Sequence, residues 1–367
     1  MAASPVPVTR PAPANLLDHA GVLAAVARQV EERLAALAQR ERARWAAVDG
    51  DVADLFESLN ALLLAPAKRL RPSFCYWGFV GAGGRPDDSR PIDAGAAFEL
   101  LHAFALFHDD VMDGSAVRRG NRTCHLAFAD RHEDGEWTGE ARRFGEGVAI
   151  LIGDLAFVYA DELMRDAPRP AWDMWNELRI ELNIGQYLDI LGTARRERDR
   201  ATADRIARYK SGKYTVERPL HVGALLAAPD RADVLVPALS AYGLPLGDAF
   251  QLRDDMLGAF GDERVTGKPV GDDLREGKPT PLLALASQRA DAAQRQALVA
   301  VGQPDLSSAD VASIQQVLID TGAVEDLEGR ISGLVREAVA AAAAAPLTAD
   351  ARAGLTELAY LVGWREK

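Results

Sequence analysis

The 367-residue chain reads as an all-α protein, a single-domain helical array, on three observations. Long segments rich in Ala, Leu and Val run from Val22 to Leu37, Ala94 to Phe107, Val148 to Met164 and Val234 to Met256, with polar interruptions near Asp130 to Arg142 and Arg195 to Asp204. Alternating apolar and polar runs, the mark of half-buried strands, are scarce. A hydrophobic content of 48% is ample for a core, and no linker divides the chain. The apolar stretches are too broken by charge or proline to read as membrane spans.

In chain order, the first fourteen or so residues are rich in Ala and Pro and lack a continuous apolar run, so a flexible arm is expected there rather than a secretion signal. That leaves 15–367 as the folded domain, expected in the cytoplasm. Lys68-Arg69-Leu70-Arg71-Pro72 sets a basic cluster in apolar surroundings, with Pro72 suited to the first turn of a new helix. The plain alternative is a solvated turn. Phe98 to His108 is almost wholly apolar, so the helix it forms is expected to be buried, and it closes on Asp109-Asp110-Val111-Met112-Asp113. Residues four apart stack on one helix face, which lets Asp109 and Asp113 point into one cavity. Carboxylates in an apolar setting need cations, and hard oxygen ligands suit Mg²⁺, which usually takes one or two carboxylates together with substrate phosphates. Taken alone, the same pattern is that of a solvated helix end. Immediately downstream, Arg118-Arg119-Gly120-Asn121-Arg122 carries guanidinium groups able to grip phosphate by paired hydrogen bonds.

A second acidic segment, Asp254-Asp255-Met256-Leu257-Gly258, ends the helix predicted from Val234. The stretch from Gly261 to Lys278 is glycine-rich and carries Lys268 and Lys278, suited to closing over anionic oxygens, or else an ordinary surface loop. Ala340 to Ala345 favours helix and stops at Pro346, and Leu358 to Arg365 reads as another packed helix. Cys75 and Cys124 are too few for a disulfide framework and lack metal-ligand spacing, so free core thiols are expected. A net charge of -12 argues against nucleic acid as a general partner.

These landmarks, joined in order by Gly153-Asp154, by Gly185-Gln186-Tyr187-Leu188-Asp189 and by Gly271-Asp272-Asp273-Leu274-Arg275, resemble the trans-isoprenyl diphosphate synthases of the polyprenyl synthetase family over nearly the whole chain. The likeness is strongest to the short-chain geranylgeranyl diphosphate synthases. It implies an isoprenoid synthase fold around a central catalytic cavity, a homodimer, and a prenyl transfer in which isopentenyl diphosphate adds head-to-tail to the carbocation of an allylic diphosphate. It also implies three Mg²⁺ ions that neutralise the departing diphosphate. Carried over by position, Asp109 and Asp113 would ligate two ions and Asp254 the third, with Asp110 and Asp255 in support. Arg118 would bind the allylic diphosphate, joined by Lys268 and Lys278. Lys68, Arg71, His102 and Arg119 would hold isopentenyl diphosphate, although His102 reads equally as a core histidine. Gln186, Asp189 and Gln251 would be polar groups near the cation or the metals. The family's adjacent Lys-Thr pair corresponds to Lys210-Ser211, with Lys213 and Thr215 as a rival set.

The resemblance assigns chain length to Phe104, five residues before Asp109 and beside small Ala105, as the floor of an apolar tunnel that stops growth near C20. Phe104 as plain core is the alternative, and a farnesyl or mixed C15/C20 product stays open. Two other classes stay open as well. A class I terpene cyclase shares the helices and a DDxxD motif but is expected to carry an Asn/Asp, Ser/Thr, Glu triad that is not found here. A non-catalytic subunit of a two-component synthase is motivated by Gly258, where many relatives place a third aspartate, and by Ser211.

Overall fold

The computed structural model describes residues 19–118, 120–197, 199–261, 270–303 and 306–365. The expected arm over 1–14 lies outside these residues, as do Arg119 and Lys268. The all-α expectation holds: apart from one two-stranded hairpin, the regular elements of the described residues are helical. Each of the four apolar segments lies inside a helix. None of these helices is long and apolar enough to cross a membrane. Both cysteines are free, Cys75 buried and Cys124 half-buried.

The chain groups into two compact units. Among the described residues, one comprises Ala20–Asp173 and Pro219–Ala232; the other comprises Met174–Arg218 and the described part of Asp233–Lys367.

In the first unit, α1 (His19–Ala46), α2 (Ala53–Leu63) and α3 (Leu70–Gly81) lead into α4 (Arg90–Asp113). A short antiparallel hairpin, β1 (Val117–Arg118) with β2 (Asn121–Arg122), then precedes α5 (Cys124–Asp134) and α6 (Ala141–Met164). Helix α4 is the hub, packed against α2, α3 and α6. Its middle, Ala96, Ala97, Phe98, Leu100 and Leu101, is fully buried, as the unbroken apolar run requires.

One charged residue organises this unit. Arg69, with backbone in the left-handed region (φ 50°, ψ 45°), stands at the N-terminus of α3, and its side chain is only 2% exposed. The guanidinium donates to Glu99 on α4 at 2.5 Å, to Glu31 on α1 at 3.1 Å and to the carbonyl of Leu63 at the end of α2 at 2.5 Å. A non-glycine residue at positive φ is uncommon and needs surroundings that over-determine it. Here three helices meet on its side chain.

The second unit contains most of α7 (Arg169–Ala194), then α8 (Arg200–Ala207) and a ten-residue π-helical turn over Arg208–Glu217. Helix α9 (Arg218–Ala227) returns the chain to the first unit, and α10 (Ala232–Phe260) runs back through the second. Short α11 (Asp272–Glu276), α12 (Pro281–Arg289) and α13 (Ala292–Leu298) lead to α14 (Ser308–Asp320), α15 (Ala323–Ala344) and α16 (Ala349–Gly363). The alanine run ends α15 just before Pro346, as its composition predicts. Helix α10 is fixed along its length. Tyr242 donates to the carbonyl of Leu355 at 2.7 Å, and buried Arg253 makes a two-pronged pair with Glu328, at 2.7 Å on both nitrogens, while donating to Gly363 at 2.9 Å.

Removing one partner of a buried ion pair strands the other. Glu99→Ala is therefore expected to lower stability by about 3–5 kcal/mol, read from urea unfolding. The double change Arg69→Met/Glu99→Leu is expected to cost clearly less than Glu99→Ala alone.

Candidate active site

The first acidic segment closes α4, whose last turn is capped by Gly114 at φ 64°. Asp109 and Asp113 are half-buried and Asp110 is buried. The hairpin folds back so that Arg118 donates to Asp110 Oδ1 through Nε at 2.8 Å and through Nη2 at 2.5 Å, with Asp109 Oδ2 at 3.7 Å from Nη2. One guanidinium thus holds two of the three carboxylates. Burial still raises the Asp110 carboxyl, opposed by Arg118 and reinforced by Asp109. Thr123 locks the base of the hairpin, donating to the carbonyl of Ser115 at 2.7 Å.

Lys68 and Arg71, both half-buried, flank Arg69. His102 lies one turn after Glu99 on α4, and with Arg69, Glu99, Leu63 and Leu106 it lines a small cavity of about 10 Å³. Sequence reasoning assigned roles to Lys68, Arg71 and His102, but read Arg69 only as a member of the basic cluster and gave no role to Glu99, its partner in the pair that anchors the segment. Phe104 packs its ring 4.6 Å from His108 and 4.8 Å from Phe157 of α6, with His108 Nε2 at 3.6 Å from Asp154. Ala105 is half-buried beside it.

In the second unit, α7 presents two acids to the π-helical turn. Lys210 donates to Asp189 at 2.5 Å, while Lys213 and Arg218 converge on Glu181. Asp189 is buried, and Gln186 is half-buried one turn before it. The two rival lysines are therefore held at different levels of α7, and Lys210 is the one beside Asp189. Ser211 is half-buried and Thr215 buried. The turn sits close on α10, because a side chain built at Gly247 would put its Cβ 2.7 Å from the carbonyl oxygen of Gly212. Only glycine admits that approach. Hydrophobic periodicity carries no signal for π geometry over so short a span, so the turn was not foreseen.

At the end of α10, Asp254 accepts a hydrogen bond from Arg365 at 2.5 Å. The same guanidinium donates to the carbonyl of Phe250 at 3.0 Å and lies 3.9 Å over the Phe250 ring. Asp255 behaves differently. It is 3% exposed, Oδ1 accepts from Gln251 at 2.8 Å, and Oδ2 has no hydrogen-bond partner. Burial pushes its carboxyl well above the usual range, and its charged neighbours Asp273, Asp254 and Asp189 act in the same direction. Lys278 reaches Glu276 at 2.5 Å and Asp273 at 3.9 Å. Among the described residues no group of three His, Cys, Asp or Glu is arranged to hold an ion by itself. A buried carboxylate oxygen without a donor, among other carboxylates, suits a hard divalent cation that completes its shell with water or phosphate oxygens.

Glu181 links the site to acid stability. Burial works to raise its carboxyl, but the hydrogen bonds from Arg218 and Lys213 prevail and hold it below the ordinary value. An acid depressed in the folded state contributes stability above its unfolded pKa of about 4.3, and that contribution is lost as pH falls through the folded value. Glu181→Gln should therefore be less stable than wild type by about 2 kcal/mol at neutral pH. Unfolding measured from pH 7 downward should show the difference shrinking below about pH 4.

The polyprenyl synthetase family model matches residues 52–318. A geranylfarnesyl diphosphate synthase of Aeropyrum pernix is 32% identical over 286 residues, 76% of this chain and 83% of that protein. A geranylgeranyl diphosphate synthase of Sulfolobus acidocaldarius is 34% identical over 64% of this chain and 68% of its own length. Among solved structures, a geranylgeranyl pyrophosphate synthase of Corynebacterium glutamicum, complexed with isoprenyl diphosphate and magnesium, superposes with a TM-score of 0.85 at 38% identity, covering 92% of this chain and 97% of that one. With two aspartate-rich helix ends, their basic partners and this likeness together, the chain belongs to the polyprenyl synthetase family and is a transferase of prenyl groups.

Proposed function

We propose that the enzyme joins isopentenyl diphosphate head-to-tail to allylic diphosphates with the help of Mg²⁺, and that its main product is the C20 chain, geranylgeranyl diphosphate. The carbon–oxygen bond of the allylic diphosphate breaks to give a carbocation and diphosphate, the double bond of isopentenyl diphosphate attacks the cation, and a proton leaves. Bound Mg²⁺ neutralises the diphosphate as it departs. Asp109, Asp113 and Asp254 are the carboxylates we assign to three ions, with Asp110 and Asp255 behind them. Arg118, clamped on Asp110, keeps the first segment in one arrangement and is the guanidinium we assign to the allylic diphosphate. Lys278 and Lys268 add positive charge there. Lys68, Arg71, His102 and Arg119 take the second diphosphate, and the Arg69–Glu99 pair holds that segment in register on α4. Asp189, Gln186, Lys210, Ser211 and Gln251 set the polarity around the cation.

The observation that carries the chain-length reading is the aromatic cluster on α4 and α6. Phe104 lies five residues before Asp109, about 7.5 Å along the helix. Its contacts with His108 and Phe157 make it part of a packed aromatic block rather than a lone side chain. A chain growing down this face from the diphosphate end would meet that block. Names among the relatives include both geranylgeranyl and geranylfarnesyl synthases, so length is the property to measure.

A homodimer is supported by exposed apolar side chains at helical spacing on α7: Ile180 is 55% exposed, Ile184 50% and Tyr187 63%. The protein should elute at twice the chain mass by light scattering, and Ile184→Glu should shift it toward the monomer.

The purified chain with Mg²⁺, isopentenyl diphosphate and each of the C5, C10 and C15 primers is expected to yield C20 diphosphate. Phe104→Ala should move the product distribution to C25 and longer, and an unchanged distribution would remove Phe104 as the floor. Absence of elongation with every primer would remove the synthase reading for the isolated chain.

A further inference from the structure

Asp254 opens the second acidic segment, and it holds a cation that belongs to the protein itself. Arg365, two residues beyond the end of α16, donates to Asp254 Oδ1 at 2.5 Å. The arginine side chain is only 6% exposed, whereas the Asp254 carboxylate is 40% exposed. Two further anchors hold the guanidinium on α10, one turn before Asp254. They are the carbonyl of Phe250, at 3.0 Å, and the face of the Phe250 ring, at 3.9 Å. Neither anchor involves the carboxylate, so a ligand that reaches Asp254 from solvent meets a positive charge fixed independently of it.

The approach of Arg365 is built by the packing of α16 on its neighbours. Helix α16 is fastened to α10 at successive levels: Tyr242 donates to the carbonyl of Leu355 at 2.7 Å, Arg253 donates to the carbonyl of Gly363 at 2.9 Å, and Arg365 closes the series on Asp254. Gly363 lies so close to α15 that a Cβ there would stand 2.7 Å from Val335 Cγ2. Trp364 stacks on Tyr360, ring centroids 5.7 Å apart. The backbone that delivers Arg365 is thus held on both sides. Arg253, the neighbour of Asp254 in sequence, is engaged with Glu328 at 2.7 Å through both terminal nitrogens. The arginine that meets Asp254 is therefore the distant one.

A permanent positive charge beside a metal-binding carboxylate acts in two directions. It opposes a divalent ion on the same carboxylate, because like charges a few ångströms apart repel. It favours diphosphate, an anion that pairs well with guanidinium. An ion arriving alone competes with Arg365, while an ion arriving with diphosphate brings the negative charge that offsets it. We infer that Arg365 is a built-in counter-ion and positioning residue for Asp254, and that it makes the hold of a divalent ion on Asp254 depend on diphosphate. This rests on the proposed Mg²⁺-diphosphate site. Metal and diphosphate then bind to this segment as a coupled pair, and the coupling is reciprocal: whatever diphosphate adds to the affinity for the ion, the ion adds to the affinity for diphosphate.

The test reads binding of the ion itself. Mn²⁺, a paramagnetic substitute for Mg²⁺, is titrated into the full chain by electron paramagnetic resonance, without and with inorganic diphosphate. The proteins are wild type, Arg365→Met, Arg365→Gln, Arg365→Lys, Asp254→Asn and Arg365→Met/Asp254→Asn, with circular dichroism to confirm folding. Without diphosphate, Arg365→Met and Arg365→Gln are each expected to bind Mn²⁺ about tenfold more tightly than wild type, or about 1.4 kcal/mol. Arg365→Lys, which keeps the charge, should stay close to wild type. With diphosphate present the gain should vanish, and the Met/Asn double variant should lack it altogether, which locates it at Asp254. An arginine with a merely structural role would give the opposite sign, weaker Mn²⁺ binding on its removal. No gain in the folded Met and Gln variants, or an equal gain in Arg365→Lys, would overturn the inference and leave the site reading intact. Wild-type Mn²⁺ binding by Asp254→Asn in the presence of diphosphate would remove Asp254 as a metal ligand, and the inference with it. If Arg365→Met does not fold, Arg365→Gln carries the same decision.

Discussion

Carboxylates packed among helices persist as charges only where a cation meets them, and that requirement shapes both units of this protein. Glu99 has Arg69, Asp110 has Arg118, Asp189 has Lys210, Glu181 has Lys213 and Arg218, and Asp254 has Arg365. In each pair the partner comes from another element or from a hairpin folded back, so satisfying the charge also fixes the backbone. The αL conformation at Arg69, the hairpin at 117–122 and the lysines of the π-helical turn are all held in this way. Asp255 differs from these, because its nearest ionisable neighbours are acids. Its Oδ2, buried without a hydrogen-bond partner among carboxylates, sits in a setting that suits a cation arriving from outside.

Much of this was legible in the sequence, for reasons of short range. Helices announce themselves through apolar periodicity over adjacent turns, which is why Ala94 to Phe107 and Val148 to Met164 lie where they were read. The four-residue spacing of Asp109 and Asp113 is a local property of one helix, and their joint placement on α4 follows from it. What escaped depends on pairings across long loops. Nothing near Glu99 in the sequence indicates that a residue thirty positions earlier will bury an arginine against it. Nothing near Asp254 points to Arg365, more than a hundred residues later. Arg69 was seen only as one member of a basic cluster, because composition cannot tell a ligand-facing cation from one enclosed by the fold.

The aromatic block on α4 and α6 shows the same division between local and distant information. Phe104 stands out in the sequence by its distance from Asp109, yet a phenylalanine on a buried helix is ordinary. Its setting becomes specific only through Phe157, brought in by α6, and through His108, whose ring lies over Gly153. An aromatic block made by three side chains from two helices is harder to move than a single ring. Its position depends on how α4 and α6 pack as much as on the identity of one residue.

The π-helical turn at Arg208–Glu217 has a further consequence. Its wider turns take up more chain for the same rise than an α-helix does, and the surplus is what sets Lys210 against Asp189 and Lys213 against Glu181. Loss of a single residue from this stretch would let the backbone relax toward the commoner geometry, while each position beyond the gap would swing by about 100° around the axis. The segment is therefore more tolerant of altered letters than of an altered count. A one-residue deletion here is a change the helix would accept and the ion pairs on α7 would not.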